Sequence, residues 1–204
     1  YKASDGTPAV DFIGNKEIVP LKRFSSGSIS VDSILGGGWP MGRVVEVYGG
    51  EASGKSTLCL HAIAEFQRAY PNDEVALIDS EFVFDRDYAE VLGVDVDNML
   101  LCQPETGEMA FNVIEAMLQE GVKLIIVDSV AALTPDAERN KEAGEHTMAE
   151  QARLMSSGLR KMIGTVSKKN ATVIFTNQVR DNIGATYGDK STTPGGRALR
   201  FYAS

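Results

Sequence analysis

The stretch Gly49-Gly50-Glu51-Ala52-Ser53-Gly54-Lys55-Ser56-Thr57 reads as G-x-x-x-x-G-K-[ST], a phosphate-binding loop. Before it, Arg43-Val44-Val45-Glu46-Val47-Tyr48 has the composition of a strand. After it, Leu58 to Tyr70 has that of a helix. Strand, loop, helix is the context the motif needs. Its glycines let backbone N–H groups turn toward an anion, and the helix N-terminus adds the positive end of a dipole. Lys55 supplies a point charge for the terminal phosphates, and the Ser56 hydroxyl can ligate Mg²⁺. The expected ligand set is ATP with Mg²⁺, held by Gly49 through Thr57.

Outward from this loop the chain alternates strands and helices. Glu74 to Asp79 reads as a strand, Asp87 to Leu92 as a short helix closed by Gly93, and Met99 to Cys102 as a strand. Thr106 can cap a helix running to Gln119, with Ala110, Val113, Ile114, Met117 and Leu118 at helical spacing and Gly121 ending it. Leu124-Ile125-Ile126-Val127 is a run suited to a strand buried on both faces. Thr147 to Ser167 reads as a long helix and Ala171 to Phe175 as a further strand. Such alternation predicts an α/β fold with a mostly parallel sheet and helical crossovers. The first 30 residues read as a lead-in with short strands at Val10–Ile13 and Ile18–Leu21, followed by the core from residue 31 to 204. Ser30 is placed to cap a short helix that Gly36-Gly37-Gly38-Trp39-Pro40 stops.

Composition is ordinary for a globular protein, at 43% hydrophobic and 24% charged residues. Neither a membrane-length apolar run nor a signal-peptide pattern is present, and Cys59 and Cys102 read as reduced thiols, so a cytoplasmic location with no membrane partner is expected. His61 and His146 make no metal site. Net charge is −8, which argues against a protein that coats nucleic acid along its length. Residues 151–204, however, carry nine Lys/Arg against Asp181 and Asp189, a balance of +7 that leaves −15 for the rest. Such asymmetry fits a localised polyanion contact as well as it fits a solvated helix face.

Asp128 ends the most apolar strand beside a phosphate loop, the position from which an acid holds Mg²⁺ together with Ser56. Ser129 can share that network. Asp79, Glu81 and Asp85 all stand where a carboxylate can orient and deprotonate an attacking water, and position alone leaves the three open. Gln178, past the strand Ala171–Phe175, can bond a γ-phosphate oxygen and pass its loss to the segment that follows. Tyr88 and Tyr187 are packing residues or stacking platforms for a nucleotide base and a nucleic-acid base. Glu138–His146 and Arg180–Gly196 resist assignment and are expected as functional loops at the C-terminal edge of the sheet.

These stretches, with Leu77-Ile78-Asp79-Ser80-Glu81, Ile125 to Leu133, Asn177-Gln178-Val179-Arg180 and Thr192 to Ser204, resemble the bacterial RecA recombinase family from about Val10 to Ser204. The resemblance implies a RecA-type P-loop ATPase core. Its implied function is DNA recombination and repair, including the response to DNA damage (the SOS response). A helical homo-oligomeric filament assembles on single-stranded DNA, pairs it with homologous double-stranded DNA and exchanges strands, and DNA-dependent, Mg²⁺-dependent ATP hydrolysis switches its grip. It also implies roles: Glu81 as catalytic base with Lys55 and Gln178 in the catalytic set, Tyr88 and Asp85 on adenine, and DNA-binding loops at about Glu138–His146 and Gln178–Gly196. Arg153, Arg180, Tyr187, Gly195, Gly196, Arg197 and Arg200 are the implied DNA contacts. The family's polymerisation helix would precede Tyr1, and its later strands and C-terminal domain would follow Ser204, so a fragment is expected. Gly50 stands where the family usually has proline. A hexameric motor or clock-type ATPase, or a small-molecule kinase, is the alternative the phosphate loop alone permits.

Overall fold

A computed structural model describes residues 20–139, 148–181 and 191–204. The expected strand at Val10–Ile13 and most of that at Ile18–Leu21 lie outside them. The first described strand is β1 (Arg23–Phe24), which pairs antiparallel with β2 (Trp39–Pro40) across helix α1 (Ile29–Ile34). This helix starts earlier than expected, because the Ser28 hydroxyl, rather than that of Ser30, accepts from Val31 N.

The central elements follow in order: β3 (Val44–Gly49), α2 (Lys55–Ala69), β4 (Val75–Asp79), α3 (Arg86–Val91), β5 (Met99–Cys102), α4 (Gly107–Glu120), β6 (Leu124–Asp128), α5 (Asp136–Arg139), α6 (Met148–Lys169) and β7 (Thr172–Gln178). A two-residue ladder, β8 (Arg180–Asp181) with β9 (Ser191–Thr192), and helix α7 (Ala198–Tyr202) complete them. Strands β3, β7, β6, β4 and β5 form one parallel sheet in that spatial order. The expected α/β class with a parallel sheet is therefore what the chain adopts.

Strand alternation divides the core in two. Ala76, Ile78, Ile125, Val127, Val173 and Phe175 face the helices α4, α6 and α7. Val75, Leu77, Leu124, Ile126 and Ile174 face α2 and α3. Phe24 meets Phe66 of α2 edge-on at 5.0 Å, which binds the β1–β2 pair to the second layer. Both faces being covered explains why the strands read as unbroken apolar runs.

Several boundaries differ from the sequence reading for local reasons. Helix α2 begins at Lys55, inside the phosphate-loop motif, because Gly54 adopts a left-handed conformation (φ 84°) as its N-cap. Strand β7 runs to Gln178 rather than stopping at Phe175, because Thr176 and Asn177 bury their polar groups with partners. Residues 140–146 of the first expected loop and 182–190 of the second lie outside the described residues. The second loop's roots are the β8–β9 ladder.

Helices α4 and α6 approach closely where Gly158 meets Phe111. A Cβ on Gly158 would lie 2.4 Å from the Phe111 ring, which itself backs onto Phe175 at 6.3 Å. Gly158→Ala is expected to destabilise the chain by about 1–2 kcal/mol in thermal unfolding, overpacking outweighing alanine's helix-propensity gain of ~1 kcal/mol.

Candidate nucleotide site

At the C-terminal edge of the sheet, the loop between β3 and α2 presents an open face of about 230 Å³ lined by Ala52 through Thr57. The first turn of α2 has no side-chain cap. Its N–H groups are therefore left for an external acceptor, which is what an anion at a helix N-terminus supplies. The Lys55 ammonium folds back on its own loop, 2.7 Å from the Gly50 carbonyl and 3.4 Å from that of Gly49.

Register brings the remaining expected groups to this edge. Asp79 on β4 lies beside Asp128 on β6, and Gly49 on β3 beside Gln178 on β7. Asp128 accepts from the Thr176 hydroxyl at 2.5 Å through Oδ1. Ser56 and Asp128 line one cavity of about 110 Å³ with Cys59, Leu60, Asp85 and Tyr88. A hydroxyl and a carboxylate are hard oxygen donors, the type Mg²⁺ takes. Among the described residues no three His, Cys, Asp or Glu gather as a metal cluster. Burial, with the Asp128 carboxylate adding to it, pushes the Cys59 thiol well above its ordinary range, so it stays protonated and unreactive.

The three candidate carboxylates divide by what they touch. Asp79 is buried and accepts from Val83 N at 3.3 Å, Phe84 N at 3.0 Å and Gln103 Nε2 at 2.9 Å. Asp85 caps α3 by accepting from Tyr88 N at 3.0 Å. Glu81 is exposed and accepts from the Ser129 hydroxyl at 2.5 Å. The Ser129 carbonyl in turn accepts from the Ser80 hydroxyl at 2.8 Å, and Ser80 N donates to the Asp128 carbonyl at 2.8 Å. These bonds clasp the ends of β4 and β6 together. The Asp128–Ser129 peptide is cis. Tyr88 is 43% exposed and shares a hydrogen bond of 3.1 Å with Thr57.

On the basic side, Arg153 on α6 and Arg197 and Arg200 at α7 are exposed. Gly195 and Gly196 have φ of 82° and 73°, so a tight left-handed turn leads into α7. Arg180 opens β8, and Tyr187 lies outside the described residues. Thr176, Asn177, Ser80 and Gln103 join the site without having been expected from the sequence. The usable signal for the first two is a polar pair ending an otherwise apolar strand.

A family model for the RecA N-terminal domain matches residues 2–204. The chain is 51% identical over 201 residues to Protein RecA of Chloroherpeton thalassium, an alignment that takes in 98% of this chain and 56% of that protein. It is 50% identical over 200 residues to Protein RecA of Prochlorococcus marinus (strain MIT 9211), with 98% and 54% covered. To Protein RecA of Mycoplasmopsis pulmonis it is 49% identical over 201 residues, with 98% and 59% covered. The chain thus spans a little over half the length of these curated relatives.

Gly50 needs no left-handed backbone, and a Cβ there would meet nothing within 4 Å. Gly50→Ala should therefore stabilise the ligand-free chain by about 0.4–1 kcal/mol through the unfolded state, measured by urea titration.

Proposed function

The chain belongs to the RecA N-terminal domain family, and from that premise we propose that it is the ATP-hydrolysing, DNA-gripping core of a homologous recombinase. The observation that carries this reading is the pairing of Gly49 with Gln178. It sets the strand end that leads into the basic segment directly beside the phosphate loop. In this reading the intact protein forms a filament on single-stranded DNA in the cytoplasm and exchanges strands with a homologous duplex. No helix among the described residues is long and apolar enough to cross a membrane. The motor and kinase alternatives gain no support from the relatives named above.

The chemistry follows from placement. The α2 N-terminus and loop amides bind the phosphates, and Lys55 leaves the Gly49 and Gly50 carbonyls to meet the terminal ones. Ser56 and Asp128 hold Mg²⁺, which when bound neutralises phosphate charge. Glu81, anchored by Ser129, accepts the proton of the attacking water. The Tyr88 ring, tethered to Thr57, offers a face for adenine, with Asp85 beside it. Gln178 meets the γ-phosphate side and reports it to the segment that ends at Arg197 and Arg200, whose charges fit DNA phosphates.

ATPase assays of the intact protein with and without single-stranded DNA test this. DNA should raise turnover, and Glu81→Gln should lower kcat by roughly 10²–10⁴-fold while nucleotide still binds. A DNA-independent rate with no filament would overturn the reading. Arg197→Ala should weaken single-stranded DNA binding and flatten its log–log salt slope by about 0.7 for each phosphate the arginine neutralises.

A further inference from the structure

Ser80 is the first residue past the end of β4, buried between Asp79 and the exposed Glu81. It holds two successive carbonyls at the end of β6. Its N–H donates to Asp128 O at 2.8 Å, and its hydroxyl donates to Ser129 O at 2.8 Å. The first bond continues the β4–β6 ladder by one rung, and the second adds a rung with a side chain. Ser129 is buried as well, and its own hydroxyl donates to Glu81 Oε1 at 2.5 Å. Two side-chain bonds and one peptide link therefore close a ring: Ser80 to Ser129, Ser129 to Glu81, and Glu81 back to Ser80 along the chain.

An exposed glutamate ordinarily samples many rotamers, which slows a reaction that needs its carboxylate in one place. The ring restricts that freedom from the buried side. It also makes the two carboxylate oxygens unequal. Oε1 carries the Ser129 hydroxyl, which leaves Oε2 as the oxygen presented to a water. The Ser80 hydroxyl is separable from the fold that surrounds it. Without it, Ser129 O still accepts from Ala132 N at 3.2 Å, and the Ser80 N–H still holds Asp128 O. The Asp128 carboxylate keeps its own bond from Thr176.

We propose that Ser80 is a positioning residue for hydrolysis: acting through Ser129, it fixes the Glu81 carboxylate so that one oxygen meets the attacking water. The inference rests on the reading that Glu81 is the base. Steady-state ATPase assays of the intact protein on single-stranded DNA test it. Ser80→Ala should lower kcat roughly three- to tenfold, with KM for ATP and the affinity for Mg-ADP unchanged. Ser129→Ala should lower kcat by at least as much. Adding Ser80→Ala to Ser129→Ala should cost nothing further, because the Ser80 hydroxyl acts only through Ser129. Ser80→Cys, whose thiol is a weak donor, should lose kcat in the same selective way and decides the matter if Ser80→Ala does not fold. An unchanged kcat in the folded Ser80 variant overturns the proposal. So does a loss of the same size in the Ser129→Ala background, or a loss that appears in KM and Mg-ADP affinity instead. Should Glu81→Gln leave kcat unchanged, the underlying reading falls instead.

Discussion

Strand β7 hydrogen-bonds to β3 on one side and to β6 on the other, and the layout of the site depends on that double pairing. Without it the phosphate loop at the end of β3 and the carboxylate at the end of β6 would have no fixed separation. With it, the end of β7 is a polar bridge: Thr176 donates to Asp128, Asn177 to Glu46, and Gln178 lies beside Gly49. The rest of the strand, Thr172 to Phe175, is buried, its apolar residues packed against one or the other helical layer. The strand is mostly apolar through its middle, and the buried polar side chains at its end each have a hydrogen-bond partner, as burial costs demand.

A second constraint operates at the neighbouring edge of the site. Phe82 sits at φ 59°, a conformation that costs a bulky residue roughly 1–3 kcal/mol. The turn that contains it is held by the buried Asp79 carboxylate, which accepts from Val83 N and Phe84 N. Charge-assisted bonds of this type return about 1.5–3 kcal/mol each, enough to offset the strain. The neighbouring Ser80–Ser129–Glu81 bonds then fix where the exposed carboxylate stands. Asp79 is thus scaffold for the turn that presents Glu81.

Much of this is legible in the sequence. The phosphate loop, the strands at Met99–Cys102 and Leu124–Val127, and the Thr106 cap follow from spacing and composition, because they depend on residues near one another in the chain. What is not legible depends on register. Asp79, Glu81 and Asp85 are equivalent on paper, and what each one bonds is known only once the donors facing them are in place. Likewise, Asn177 reads as one more polar residue near a loop until Glu46 and Pro194, 131 and 17 positions away, come into contact with it. Helix α2 starts three residues before its first helix-like run, since a glycine N-cap gives no side-chain signal.

The seating of Gly195 and Gly196 against α6 has an evolutionary meaning. Their neighbours Met155, Val130 and Ala152 set how large those two positions can be. Residues on a helix and residues on the turn beneath it are therefore not free to drift separately. A side chain at 195 would have to overcome both a left-handed backbone and the close approach of Met155 and Val130, and one at 196 both its own left-handed backbone and Ala152. Sequence variation in this part of the molecule is thereby confined by both the helix and the turn.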